Sequence, residues 1–124
     1  MSEKEEKILY TGSYAGEEPE KASSPFVMAN AALSMDVKAT VVLMGQAVYL
    51  AKQGFVETVL PGGGFPPLKK LLEDFLALGG QLKVCVPCIR ERNIDESDLI
   101  EGAETIMAGA VTVEALESDA VMTF

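Results

Sequence analysis

The sequence predicts an α/β protein in three layers, a mainly parallel five-stranded sheet with helices on both faces. Three observations lead there. Five short apolar runs lack the polar–apolar alternation of a half-exposed strand. Stretches of helical periodicity or composition separate them. Gly, Pro, Ser or Asn punctuate the junctions. A chain of 124 residues fills one hydrophobic core, so a single domain over residues 1–124 is expected.

Taken in order, Lys7 to Tyr10 is a short apolar burst that stops at Thr11-Gly12-Ser13, a small-residue loop suited to closing a buried strand. Pro25 then opens an apolar stretch through Leu33, with Ser23 or Ser24 placed to cap it, so the first helix is expected to start there. Lys38 to Met44 is a continuous apolar and β-branched run, the second strand. Gln46 to Lys52 reads as a short helix ending before Gly54.

The breaker cluster Pro61-Gly62-Gly63-Gly64-Phe65-Pro66-Pro67 precedes an amphipathic helix over Leu68 to Leu78, closed by Gly79-Gly80. Gln81 to Cys85 forms the third strand, Val86 to Arg92 a helix, and Asn93 its C-terminus. Asp95 to Asp98 offers another N-cap ahead of Leu99-Ile100. Glu104 to Ala108 is strand four, Val111 to Ser118 a helix, and Asp119 to Phe124 strand five. Solid apolar strands alternating with helices specify a parallel sheet.

Composition narrows the function. Hydrophobic residues make up 48% of the chain and charged ones 23%, which is globular and far from the regime of disorder. A mean hydropathy of +0.21 in so small a chain, with six Met and no Trp, implies more apolar surface than one copy hides; homo-oligomerisation is expected. The net charge of −9 lacks the basic footprint of a phosphate-binding protein, so nucleic acid is an unsuitable partner. The charged start Met1 to Lys7 has no apolar stretch behind it fit for export, and no apolar run reaches the roughly 20 residues of a membrane span. A cytoplasmic location is expected.

Chemistry concentrates in Lys83-Val84-Cys85-Val86-Pro87-Cys88-Ile89-Arg90-Glu91-Arg92. Ligands of an open parallel sheet bind beyond the carboxyl ends of its strands. Cys85 falls at such an end, where a helix start directs backbone N–H groups at the sulfur and favours thiolate. Arg90 and Arg92 bring positive charge to the segment and suit an anionic sulfur donor, although spacing alone does not say which of them faces the sulfur. Free Cys is also among the most buried residue types, so a purely packing role for Cys85 stands beside the reactive one. Cys88 either resolves a mixed disulfide or persulfide on Cys85 or packs beneath the helix.

The two thiols are too close in sequence to serve as a stabilising staple. Two Cys and no His fall short of the four ligands of structural zinc, so neither a metal nor a cofactor is expected, save a metal shared between subunits. The absence of His also removes the usual general base. Thiol exchange and persulfide transfer proceed without one. The Gly62-Gly63-Gly64 loop lacks the Lys-Ser/Thr ending of a phosphate loop and is read as turn geometry. The pairs Glu17-Glu18 and Asp95-Glu96 are read as solvated surface and helix caps.

Several segments in order resemble one family. Thr11-Gly12-Ser13, Glu18-Pro19-Glu20-Lys21-Ala22 and Pro25-Phe26-Val27-Met28-Ala29 are similar to its first loop and helix. Val41 to Val48 resembles its second strand and turn, and Val84-Cys85-Val86 with Arg90-Glu91-Arg92-Asn93-Ile94 its active-site segment. The family is that of the DsrE/DsrF-like sulfur-relay proteins, including the TusD-like and YchN-like subunits, and the resemblance spans nearly the whole chain. It implies a flavodoxin-like or YchN-like subunit that assembles into trimers or hexamers. It also implies persulfide sulfur carried on Cys85 and passed to a partner protein; the candidate anion- or substrate-binding residues are Gly12, Arg90 and Arg92. Cys88 departs from the TusD-like pattern, where an apolar residue stands, and leaves room for intramolecular sulfur transfer or a disulfide. Three functions are therefore weighed: a sulfur carrier or sulfurtransferase, a non-catalytic assembly subunit, and a dithiol redox protein using Cys85 and Cys88.

Overall fold

The computed structural model of the chain describes residues 5–124; of the charged start singled out above, Met1–Lys4 lie outside the described residues. Five parallel strands form one sheet in the order β4-β3-β2-β1-β5. They are β1 Lys7–Gly12, β2 Lys38–Leu43, β3 Gln81–Cys85, β4 Ala103–Ile106 and β5 Ala120–Thr123. Relative to the flavodoxin order 2-1-3-4-5, the strand flanking β1 on the far side comes last in the chain rather than second. The helices are α1 Pro19–Ser34, α2 Leu68–Ala77, α3 Val86–Glu91 and α4 Ala108–Glu117. The expected short helix after β2 is a 3₁₀ segment, Gly45–Ala51. Its residues Ala47, Val48, Leu50 and Ala51 are all buried, leaving no polar face for an amphipathic α-helix.

The start of α1 differs from the expectation. The helix begins at Pro19, in its first turn, where a missing N–H costs nothing. Pro25 lies inside it. Ser23 and Ser24 do not cap; their hydroxyls turn back onto the carbonyls of Pro19 and Glu20, at 2.7 and 3.0 Å. The lost backbone bond at Pro25 is tolerated because its ring is buried against β1: a Cβ on Gly12 would stand 3.4 Å from Pro25 Cγ.

One face of the sheet is thickly covered. Ala39, Val41 and Leu43 of β2 and Leu82 and Val84 of β3 point into a core shared with α1 and α2. There Phe26 meets Phe75 edge-to-face at 5.5 Å. The helices end in the left-handed stops their sequences supply. Gly79 (φ +92°) lets the Gly80 N–H reach back to the Phe75 carbonyl, and Asn93 (φ 57°) does the same for Ile94 onto Ile89. Gly63 (φ +66°) folds the Pro61–Pro67 loop against the first turn of α1, where a Cβ would sit 2.6 Å from Glu20 Cγ. Turn geometry accounts for that loop.

The other face is thinly covered. Its buried apolar cluster is small, Leu9, Val42 and Ile106, with Met44 and with Val111 and Ala115 of α4 packed against it. Helix α4 itself has no buried residue, although Lys7 fastens it through ion pairs to Glu114 and Glu117. Val113 is 51% exposed and Leu116 81% exposed. Val86, Ile106, Met107, Ala110 and Val113 line an open hollow of about 500 Å³ beside the helix. No helix among the described residues is long and apolar enough to cross a membrane.

Candidate functional site

The parallel register brings the loops of two neighbouring strands together. Leu43 pairs with Val84, so the residues after β2 and after β3 emerge side by side at the carboxyl edge. Cys85 ends β3 and is the N-cap residue of α3 (φ −62°, ψ 122°), with Pro87 at the helix start pre-setting the turn. One helical turn on, Cys88 faces back toward it. The two sulfurs share a hydrogen bond at 2.8 Å, and both residues are half-buried free thiols.

The 3₁₀ segment after β2 completes the site. Gly45 adopts φ +55°, a conformation costly for other residues, and its backbone N–H donates to Cys88 Sγ at 3.3 Å. Arg92 closes the other side: its Nη1 donates to the Cys88 carbonyl and its Nε to Gln46 Oε1, both at 3.1 Å.

The expectation that position alone favours thiolate on Cys85 needs correction. Burial pushes this thiol above its ordinary value of 9.0, and the hydrogen bond with Cys88 raises it further. The backbone N–H of Cys88, facing this sulfur as expected of a helix start, and more weakly the positive charge of Arg92 pull the other way without prevailing. Helix α3 is only six residues long and supplies little dipole against that desolvation.

The anion-binding candidates are dispersed. Arg92 is anchored beside the thiols. Arg90 is exposed and lines a separate hollow with Val86, Ile89, Asn93, Ile94, Asp95 and Glu96. Gly12 is buried under Pro25 and beside Leu43, and its carbonyl accepts from the Met44 N–H. Asp95 does cap, accepting from the Ser97 N–H, as part of a capping box with Asp98. Two site residues escaped the reading by residue type, Gly45 and Gln46. Adjacency of the second and third strands was the signal that points to them. Among the described residues no group of three or more His, Cys, Asp or Glu is arranged to hold a metal ion.

A thiol pair of this kind can share a proton, attack a sulfur–sulfur bond and close to a disulfide. The chain as a whole is similar to known proteins. The profile of the DsrE/DsrF-like family matches residues 6–124. The uncharacterized protein MJ0989 of Methanocaldococcus jannaschii is 33% identical over 105 residues, covering 85% of this chain and 88% of that one. The uncharacterized protein MJ0760 of the same organism is 40% identical over 93 residues, 75% of this chain but only 33% of that longer protein. Among solved structures, the YchN protein of E. coli superposes with a TM-score of 0.71 at 22% identity, over 98% of this chain and 100% of that one. MTH1491 of Methanobacterium thermoautotrophicum, a protein of unknown function, gives 0.72 at 14% identity, over 97% of this chain and all of its own. At these identities the structural likeness bears on the fold.

Proposed function

The chain belongs to the DsrE/DsrF-like family, and from that premise we propose that it is a sulfur carrier, or a subunit of a sulfurtransferase, that holds sulfane sulfur as a persulfide on Cys85. The observation that carries the reading is the half-exposed Cys85–Cys88 pair at the carboxyl edge of the sheet, with sulfurs 2.8 Å apart. With no His in the chain, the proton of Cys85 needs another acceptor. Solvent, which reaches the half-buried thiol, takes it as Cys85 attacks the donor. The new bond joins Cys85 Sγ to the sulfane sulfur, and the rest of the donor leaves with the electron pair of the broken bond. Arg92 gives an anionic donor a fixed positive charge beside the thiols. An acceptor thiolate on a partner protein then attacks the outer sulfur and carries it away.

The same reading takes residues 1–124 as one domain working in the cytoplasm without metal or cofactor. Copies of the chain associate, as trimers or hexamers, through the thinly covered face around α4, where Val113 and Leu116 are exposed. Incubation with thiosulfate or polysulfide followed by intact-mass measurement tests the carrier role. A gain of about 32 Da, one sulfur, that disappears in Cys85→Ser supports it, and a wild-type mass that never changes opposes it. The sulfur–sulfur distance also favours a second reading, a dithiol redox protein cycling between dithiol and disulfide.

A further inference from the structure

The position of Cys88 decides which sulfur of a Cys85 persulfide it can reach. Its Sγ already lies 2.8 Å from Cys85 Sγ, against about 2.05 Å in a formed disulfide, so sub-ångström closure suffices to join them. Displacement at the inner sulfur requires the leaving sulfane sulfur to lie opposite the nucleophile, so a persulfide pointing away from Cys88 toward solvent offers it the inner atom. Cys88 is thus poised at the inner atom, its sulfur held in place by the Gly45 N–H at 3.3 Å. Both thiols are half-buried rather than sealed, so a small leaving group can depart to solvent.

We propose that this chain releases its carried sulfur reductively, as hydrosulfide, through attack of Cys88 on the inner sulfur of the Cys85 persulfide. The proposal rests on the reading of Cys85 as the sulfane carrier and adds the product and the electron source. The bond between Cys85 Sγ and the sulfane sulfur breaks, and its electron pair leaves with that sulfur as HS⁻. The Cys88 thiolate forms the new bond to Cys85 Sγ. The sulfane sulfur is reduced by two electrons and the two Cys are oxidised to one disulfide; charge balances, one anion consumed and one released. The dithiol is restored by a small thiol or dithiol reductant. A partner thiol that reaches the outer sulfur first diverts the atom to transfer, so Cys88 sets a competition between delivery and release.

The test loads the purified chain anaerobically with polysulfide, removes the donor by gel filtration, and follows sulfide and intact mass without added reductant. The wild type is expected to lose its gain of about 32 Da while evolving one sulfide per subunit, and to finish about 2 Da below the starting dithiol. Cys88→Ser and Cys88→Ala are expected to keep the adduct and evolve no sulfide. A wild type that holds its adduct, or a Cys88 variant that evolves sulfide as fast as the wild type, overturns the release step alone. Failure of the Cys88 variants and the wild type alike to gain sulfur overturns the carrier reading beneath it.

Discussion

Gly45 donates its backbone N–H to the sulfur of Cys88 at 3.3 Å, tying the segment after β2 to the helix after β3 across 43 residues of sequence. This contact fixes Cys88 with its sulfur 2.8 Å from that of Cys85, while Cys85 pays a desolvation cost for its half-buried place. The division of labour between the thiols follows from that asymmetry, and it can be measured.

The first prediction concerns ionisation. Because folding raises the Cys85 thiol above 9.0, the protonated form is the one favoured by the fold; that contribution is complete below pH 9 and is lost as pH rises through the folded value. Alkylation of Cys85 at pH 7.5 to 8 (about the range where free thiols begin to ionise) is therefore slower in the native protein than in the denatured chain, and climbs with pH. Cys88→Ala removes the hydrogen-bond contribution and moves the midpoint down. Arg92→Gln removes the opposing charge and slows alkylation at fixed pH roughly two- to fivefold, the scale of one half-exposed charge contact. Mass-resolved iodoacetamide kinetics across pH check all three, and a native Cys85 that reacts faster than the denatured one contradicts the assignment.

A second prediction tests the packing behind β3. A Cβ on Gly80 would collide with the Phe75 ring, which is itself fully buried against Phe26. Gly80→Ala should lower the stability by about 1–3 kcal/mol through overpacking, read as a drop in the urea midpoint. Phe75→Ala should cost about 3–5 kcal/mol. An unchanged midpoint for either would mean that the ring does not hold the start of β3 as described.

These two cases mark what the sequence makes legible. β2 is readable as a solid apolar run, whereas β3 alternates and β4 buries only Ile106; Gly79 and Asn93 are readable as helix stops because few residues adopt a left-handed conformation cheaply. The start of α1 is not, since Pro25 after two Ser imitates a helix start, and only its burial beneath β1 explains a proline in mid-helix. At the site, Cys85 and Cys88 stand out by chemistry and spacing. Spacing leaves Arg90 and Arg92 undivided; the structure separates them, because Arg92 reaches the Cys88 carbonyl while Arg90 lines a different hollow. Gly45 and Gln46 depend on the strand order, which no local pattern encodes. The ionisation of Cys85 differs from the expectation because burial, invisible in sequence, outweighs the Cys88 N–H and the Arg92 charge.

A third prediction addresses assembly. The exposed side of α4 carries Val113 and Leu116 beside the hollow lined by Ile106 and Met107. Analytical ultracentrifugation should find the wild type at a multiple of its 13.2 kDa chain mass. The double variant Val113→Glu, Leu116→Glu should sediment as single chains with its circular dichroism preserved, because neither side chain supports the core of its own subunit. A wild type that is monomeric at tens of micromolar, or a double variant of unaltered size, sets this face aside as the interface.

The most direct test of the central claim is the site of sulfur addition in the Cys88→Ser protein after polysulfide treatment, where release by Cys88 is blocked. Peptide mapping should find the added sulfur on the fragment containing Cys85, at close to one atom per chain, and Cys85→Ser should abolish it. Sulfur absent from that fragment, while the native fold is intact, would contradict the claim that Cys85 is a sulfane carrier.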